Sequence, residues 1–512
     1  MKVNIIGAGI SGLSAGCYLQ MNGFQTEIFE KHSIPGGLCT SWKKGDFTID
    51  GCAHWILGSG KGSSFHKMWS EILDLKKIQF VNHEIRIDVG VRNTCDKYGN
   101  KVFHWYTDLN RLQAYMIDIA PEDEKLIRSF IKPMRIMQQF DLPPVLDDLP
   151  FFQSMIRGIK MSRYLKFLYW FLKIKNETNF SFAAKLKNPF LKESFMSLFD
   201  HYEVKLLIFT MPHSVFDAKS AGYPVGGSLK FSEKLEESYL ALGGKIHYKT
   251  PVKKIIVEDG VAKGLLVRNN VTHYSDITLS AADWHFTLFD ALDGKFVNDK
   301  IIELKNLKKL EVFYSIIQLA FGVNYDLSGH THFSRFPLEQ ELTLPDGTVY
   351  DRIEAHIYNY DPTMAPKGKS VVVVSFYTKN GDFWIDLRKN ERVKYRQIKS
   401  DFADKILTLL DDRFGGVIKN NVEMVDVATP ATVLRYTNNW KGSTQGWLPG
   451  NNLLATTPVG FTLPGLNNFY FSSHWNQPGG GLPIAVKTGR DIAKIISKKY
   501  NGRFITNTSI TL

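Results

Sequence analysis

Three stretches of this 512-residue chain predict an α/β fold with a Rossmann-type, dinucleotide-binding domain. The first thirty residues run strand, glycine turn, helix, strand, the order of a βαβ unit. Residues 223–267 run glycine pair, helix, strand and hairpin, and residues 468–498 run strand, glycine loop, helix.

In the first unit Lys2 to Ile6 forms the strand, Gly7-Ala8-Gly9-Ile10-Ser11-Gly12 the turn, Leu13 to Asn22 the helix, and Gln25 to Glu30 the second strand after a turn at Gly23. Gly7 permits the tight turn, Gly9 lets backbone approach a pyrophosphate, and Gly12 lets the helix pack closely on the strand. Ile10 and Ser11 fall where the free N–H groups of the helix amino terminus favour an anion. Glu30, eighteen residues past Gly12, is placed to accept hydrogen bonds from an adenosine ribose, and its charge argues against a 2′-phosphate. Between Lys31 and Leu38 a second pair, Gly36-Gly37, would let another backbone segment pass close to a long cofactor.

The middle stretch predicts a helix through Leu242, a strand Lys245 to Tyr248, and strands Val252 to Glu258 and Val261 to Val267 joined at Asp259-Gly260, a hairpin turn signal. Near the end, Asn468 to Phe471 reads as a strand and Pro483 to Lys498 as a helix, with proline suited to its first turn. The loop between them carries Gly479-Gly480-Gly481, bare backbone N–H groups that suit an isoalloxazine ring or its ribityl-phosphate arm.

Glu30, Gly36-Gly37 and Phe47-Thr48-Ile49-Asp50-Gly51 together make an acid, a short spacer, a glycine pair and an aromatic-x-x-Asp-Gly element. That series resembles the flavoprotein family of phytoene desaturases, carotenoid isomerases and retinol saturases. The loop Trp475 to Pro483, ending Gly479-Gly480-Gly481-Leu482-Pro483, and the segment Thr429-Pro430 through Gly446-Trp447 resemble its saturase and isomerase branch. The resemblance implies FAD as cofactor, held by Gly7, Gly9, Ile10, Ser11, Gly12, Glu30, Lys31, Gly36, Gly37 and Leu38, by the Val252 backbone against adenine, and by His474, Gly480, Gly481 and Leu482 at the flavin end. It also implies a discontinuous FAD-binding domain (1–88, 215–290 and 445–505), a helical substrate-side and membrane-facing insertion at 89–214, and an α+β substrate-binding insertion at 291–444. Two departures stand out. Leu38 replaces an arginine of many relatives, and Ser473-His474 replaces Gly-Asp, so His474 would donate to phosphate where a carboxylate usually binds.

Composition excludes several classes. An apolar fraction of 44% and a charged fraction of 22% match ordinary globular usage. Cys17, Cys39, Cys52 and Cys95 lack C-x-x-C spacing and read as reduced thiols of a cytoplasmic protein. The start is too short for a signal-peptide core, and no apolar run reaches the length of a spanning helix. The net charge of +12 concentrates between Asp148 and Glu177, where Arg157, Lys160, Arg163, Lys166, Lys173 and Lys175 interleave with aromatic residues. That mixture in 151–175 suits peripheral docking on an anionic lipid surface better than nucleic acid; the plainer reading is solvated lysines on helices of a lipophilic pocket.

The family resemblance implies an FAD-dependent oxidoreductase acting on carbon–carbon bonds of an apolar polyene or isoprenoid-like substrate, by desaturation, saturation or isomerisation. Such chemistry asks few polar groups of the protein, and His54, directly after the Asp50-Gly51 element, is the candidate catalytic residue. No metal is expected: His330 and His332 lack a carboxylate or cysteine partner. The alternatives are a flavin amine oxidase and a non-enzymatic lipid or prenyl carrier on the same scaffold. The sequence does not set the oligomeric state.

Overall fold

The structure, a computed structural model, describes residues 1–512 apart from 53, 93–95, 98, 139–168, 171, 173, 199–202, 309, 449–457 and 508–512. At its base lies a parallel five-stranded sheet drawn from three distant parts of the chain. Strand β1 (Lys2–Ile6) pairs on one side with β2 (Gln25–Phe29), which pairs with Lys245–His247; on its other side come Ile277–Ser280 and Phe469–Phe471. Val3, Ile5, Ile28, Ile277 and Leu279 are fully buried, as strands covered on both faces require.

Helix α1 begins at Ile10, earlier than the expected Leu13, and runs to Met21. Gly12 therefore lies inside the helix, where a Cβ would collide with the Gly7 carbonyl oxygen. Gly7 makes the preceding turn at φ +96°, a region open to glycine and costly for other residues. The helix is buried almost all round. On one side Gly16 admits the Tyr239 ring of the helix Gly227–Ala241, since a Cβ there would sit 2.6 Å from it. On the other, Gly489 of the last helix, Gly481–Asn501, would place a Cβ 2.6 Å from the Ser11 carbonyl oxygen.

The strands Val252–Glu258 and Val261–Val267 form with the predicted bounds, and Asp259 and Gly260 turn between them at φ 49° and 72°. Positive φ at both central residues matches the twist of a two-residue hairpin. The last helix starts at Gly481, two residues before the expected Pro483, which occupies its first turn.

The second sheet has seven strands, in the order Val422–Ala428, Ser315–Val323, Ser370–Thr378, Val349–Ile357, Phe333–Thr343, Ile85–Gly90 and Val102–Tyr106. The boundary drawn at residues 88 and 89 falls inside one of these strands. Ile85–Gly90 crosses that boundary, and Ser334 and Arg335 pair with Asp88 and Val89. Ile85–Gly90 and Val102–Tyr106 thus extend the sheet built from residues 315–428. Helices Leu109–Ile119, Glu124–Gln138 and Leu207–Asp217 pack on this end around Trp105, Phe130 and Phe195. Most of the basic segment 151–175 falls outside the described residues; within it Tyr169 and Leu172 are exposed. Among the described residues no helix is long and apolar enough to cross a membrane.

One buried ion pair ties the chain's end to its beginning. Arg490 of the last helix donates to Glu71 through Nε at 2.7 Å and Nη2 at 3.2 Å, and the Tyr18 hydroxyl of α1 donates to the same carboxylate at 2.8 Å. Both charges are withdrawn from water, so removing one partner strands the other. Glu71→Ala is expected to cost about 3–5 kcal/mol, read as a lower midpoint in chemical denaturation; an unchanged midpoint would remove the pair from the account of stability.

Candidate functional site

The glycine turn and the Gly36-Gly37 pair meet at one end of the parallel sheet, and the segment leading into the carboxy-terminal loop is joined to them at Ser472. Gly36 N donates to the Ala8 carbonyl at 2.8 Å, and Gly9 and Gly36 form an isolated bridge. Side chains are absent where these segments approach: a Cβ on Gly37 would lie 3.4 Å from Gly9 Cα, and one on Gly9 would meet only the Gly36 carbonyl oxygen at 4.0 Å. Ser11 Oγ donates to the Ser472 carbonyl at 2.8 Å, joining the first turn of α1 to the strand that feeds the final loop. Gly480 then turns with φ +40° and ψ −136°, where a Cβ would strike the Gln445 carbonyl oxygen. Gly481 follows at φ +72° and opens the last helix together with Leu482.

Glu30 is buried, and each carboxylate oxygen already accepts a backbone N–H, from Ala8 and from His32, both at 2.7 Å. Burial pushes its pKa up, while those N–H groups hold it down. Thr250 N donates to the Glu30 carbonyl at 2.8 Å, which brings the strand beginning at Val252 alongside the acid. Lys31 points away, its Nζ donating to Asn438 Oδ1, so this side chain is tied to the protein. Leu38 is half-buried just past the glycine pair. His474 is enclosed, and burial drops its pKa to about 4, which keeps it neutral. Its Nε2 is buried without a hydrogen-bond partner, so the imidazole can donate to a phosphate only as a neutral group.

Asp50 organises the next layer. Its carboxylate accepts from Cys52 N at 3.0 Å, Ser228 N at 2.8 Å and Ser228 Oγ at 2.6 Å, and its carbonyl accepts from Gln318 Nε2 at 2.7 Å. The acid therefore sits at the amino terminus of helix Gly227–Ala241, where the dipole favours an anion, and fixes the path of the chain into His54. His54 stacks on His356 with centroids 4.1 Å apart, and its Nδ1 lies 3.5 Å from the Tyr358 hydroxyl. His356 stacks in turn on Phe333 at 3.8 Å, and His83 on His332 at 3.5 Å. Burial holds His54 at about 4 and His332 and His356 well below the usual imidazole range, so the layer is an uncharged aromatic wall. A cavity of about 390 Å³ opens beside it, lined by His83, His330, His332, Ile357, Asn359 and Tyr360 among others. Among the described residues no group of three or more His, Cys, Asp or Glu is arranged to hold a metal.

Behind the final loop four tryptophans pack together. Trp284 lies 5.4 Å from Trp440 and 5.1 Å from Trp447, and Trp447 lies 5.2 Å from Trp475. Trp475 Nε1 donates to Asn439 Oδ1 at 3.2 Å and Trp447 Nε1 to the Trp475 carbonyl at 3.1 Å, which locks the loop. Asp283 anchors the cluster by accepting from Trp440 N at 3.0 Å and Phe286 N at 2.9 Å. Sequence reasoning singled out Trp440, Trp447 and Trp475 but did not join them. It also missed the histidine layer, although His356-x-Tyr358-x-Tyr360 alternates with the period of a strand face.

The parallel sheet and its glycine turn define a Rossmann-like α/β fold, and residues 5–72 match the family described as NAD(P)-binding Rossmann-like domain. The chain is 26% identical to prolycopene isomerase 1, chloroplastic, of an Oncidium hybrid cultivar, over 94% of this chain and 81% of that protein. It is 23% identical to 4,4'-diapophytoene desaturase (4,4'-diapolycopene-forming) of Methylomonas sp, over 98% of this chain and 96% of that one. The crystal structure of an oxidoreductase from Methanosarcina mazei shares the fold, with a TM-score of 0.56, 19% identity, and coverage of 95% of this chain and 99% of its own. The resemblance to carotenoid desaturases and isomerases thus extends along nearly the whole chain.

Asp283 yields a prediction with a definite sign. Burial raises its pKa from the ordinary 3.8 to about 7. The folded protein then binds the proton more tightly than the unfolded chain, and the stabilisation from this group, full below about pH 4, is lost as pH rises through about 7. Relative to Asp283→Asn, which does not titrate, the wild type should lose stability across that window in urea unfolding at stepped pH. A difference independent of pH would contradict the assignment.

Proposed function

We propose that the protein binds FAD across the cradle formed by both ends of the chain and acts on a carbon–carbon bond of an apolar polyene or isoprenoid-like substrate. The observation that carries this reading is the approach of bare backbone at Gly9 and Gly36-Gly37, joined by the bond from Ser11 to Ser472 to the segment that leads into Gly479 to Gly481. A cradle continued so far beyond the first turn suits a dinucleotide with a ring system at its far end. Glu30, with a lone pair left on each oxygen, and the backbone near Val252 would take the adenosine end. The first turn of α1 would take the pyrophosphate, and His474, with its unpartnered Nε2, Gly480, Gly481 and Leu482 would line the flavin end.

Bound FAD supplies hydride transfer, the step that desaturation, saturation and isomerisation of a carbon–carbon bond share. The protein's own residues orient the substrate and exclude water. The neutral wall of His54, His356, Phe333 and Tyr358 fits that task, because it offers aromatic surface without fixed charge. His54 is the polar group we assign nearest the chemistry, with Tyr358 setting the position of its Nδ1. Similarity to a prolycopene isomerase and a diapophytoene desaturase supports a polyene substrate.

The visible spectrum of the purified protein tests the reading. The expected result is a flavin absorption band that bleaches on anaerobic reduction and that a polyene either restores, by accepting the hydride from the reduced flavin, or bleaches, by giving one up to the oxidised flavin. A colourless protein that refuses added FAD would overturn it, and peroxide release with amines would replace the carbon–carbon chemistry with amine oxidation.

A further inference from the structure

Arg86 lies on the strand Ile85–Gly90, with its side chain directed into an aromatic enclosure. The guanidinium carbon sits 4.2 Å from the centre of the Phe209 ring and 5.1 Å from that of Phe216. Phe216 in turn packs against Trp55, next to His54, with ring centres 5.4 Å apart. Nη1 donates to the Phe209 carbonyl at 3.1 Å and faces His213 Nδ1 at 3.5 Å. His213 Nε2 lies 2.9 Å from the Tyr106 carbonyl and donates to it, so Nδ1 carries the lone pair that Arg86 needs. Burial and the neighbouring Arg86 lower the His213 pKa to about 3, in keeping with that neutral tautomer.

The arrangement fixes one edge of the guanidinium and leaves the other unused. Among the described residues Nε and Nη2 have no hydrogen-bond partner and no carboxylate lies within ion-pair distance of Arg86. Its pKa reflects the same lack: burial draws it down to about 9 with no acid to raise it. Arg335 and Arg352, the other arginines of this sheet, are by contrast partnered by Glu354 and by Asp351 and Glu193. Arg86 is half-buried, and a cation set among aromatic rings without a counter-charge is stabilised by an anion that joins it at its open edge. One planar edge with two parallel donors matches the two oxygens of a single carboxylate.

We propose that Arg86 anchors the carboxylate end of the substrate, which makes that substrate an apolar, unsaturated acid. This rests on the reading of an apolar polyene or isoprenoid-like substrate above and narrows it. Phe209, Phe216 and Trp55 lead from the anchor toward His54, so the charged end is held by the strand while the apolar body extends along the aromatic surface.

The test uses the purified holoprotein and cis-parinaric acid, a fluorescent conjugated fatty acid, beside its methyl ester. Wild type should bind the acid about tenfold or more tightly than the ester, the size of a charge-assisted hydrogen bond. Arg86→Gln should remove the preference by weakening the acid alone, and Arg86→Lys should retain part of it. The flavin spectrum of each variant checks that the fold is intact. Binding of both probes with no preference in wild type, or a preference unchanged in Arg86→Gln, overturns the anchor and leaves the apolar site standing. Failure of both probes to bind overturns the anchor together with the reading it rests on.

Discussion

Everything in the site depends on how closely the first turn of α1 approaches the strand before it. At Gly12 a single added carbon would collide with the Gly7 carbonyl oxygen, so helix and strand meet backbone to backbone. That contact aims the helix amino terminus along the sheet and sets where Ser11 can reach Ser472. From there the final loop, the last helix and the pair between Glu71 and Arg490 take their positions. A protein joined this way builds its core and the proposed cofactor cradle with the same contacts.

Charge is handled differently in the two halves. In the parallel-sheet half, buried acids are satisfied by backbone N–H groups: Glu30 by Ala8 and His32, Asp50 by Cys52 and Ser228, Asp283 by Trp440 and Phe286. Each holds a turn or a helix start in place. In the seven-stranded half, the stacked imidazoles are kept neutral by burial. The result is a surface that can touch a long apolar molecule without competing for water, with one guanidinium edge as the exception.

Much of this was legible from the sequence where a short motif fixes local geometry. The glycine turn, the Asp259-Gly260 hairpin and the proline in the first turn of the last helix are encoded within a few residues. Gly12 was read as the end of the turn and as the point of close helix–strand packing; the packing is there, but the helix already begins at Ile10. The placement of the local pair Ile85–Gly90 and Val102–Tyr106 was not legible, since it joins the larger sheet only where Asp88 and Val89 meet Ser334 and Arg335, more than two hundred residues away. Asp50 was recognised as a motif position, but its role as a cap for Gly227–Ala241 depends on a contact across 178 residues. Nothing in the sequence marks Arg86, because an arginine's lack of a partner is a property of its surroundings.

The most direct measurement is a crystal structure of the purified protein with its own cofactor. The account predicts one FAD running from Glu30, past Gly9 and Ser11, to the loop at Gly480, with its ring facing the His54 layer. A cofactor confined to the Gly7 to Gly12 turn, or a ring turned away from both Gly480 and His54, would contradict it.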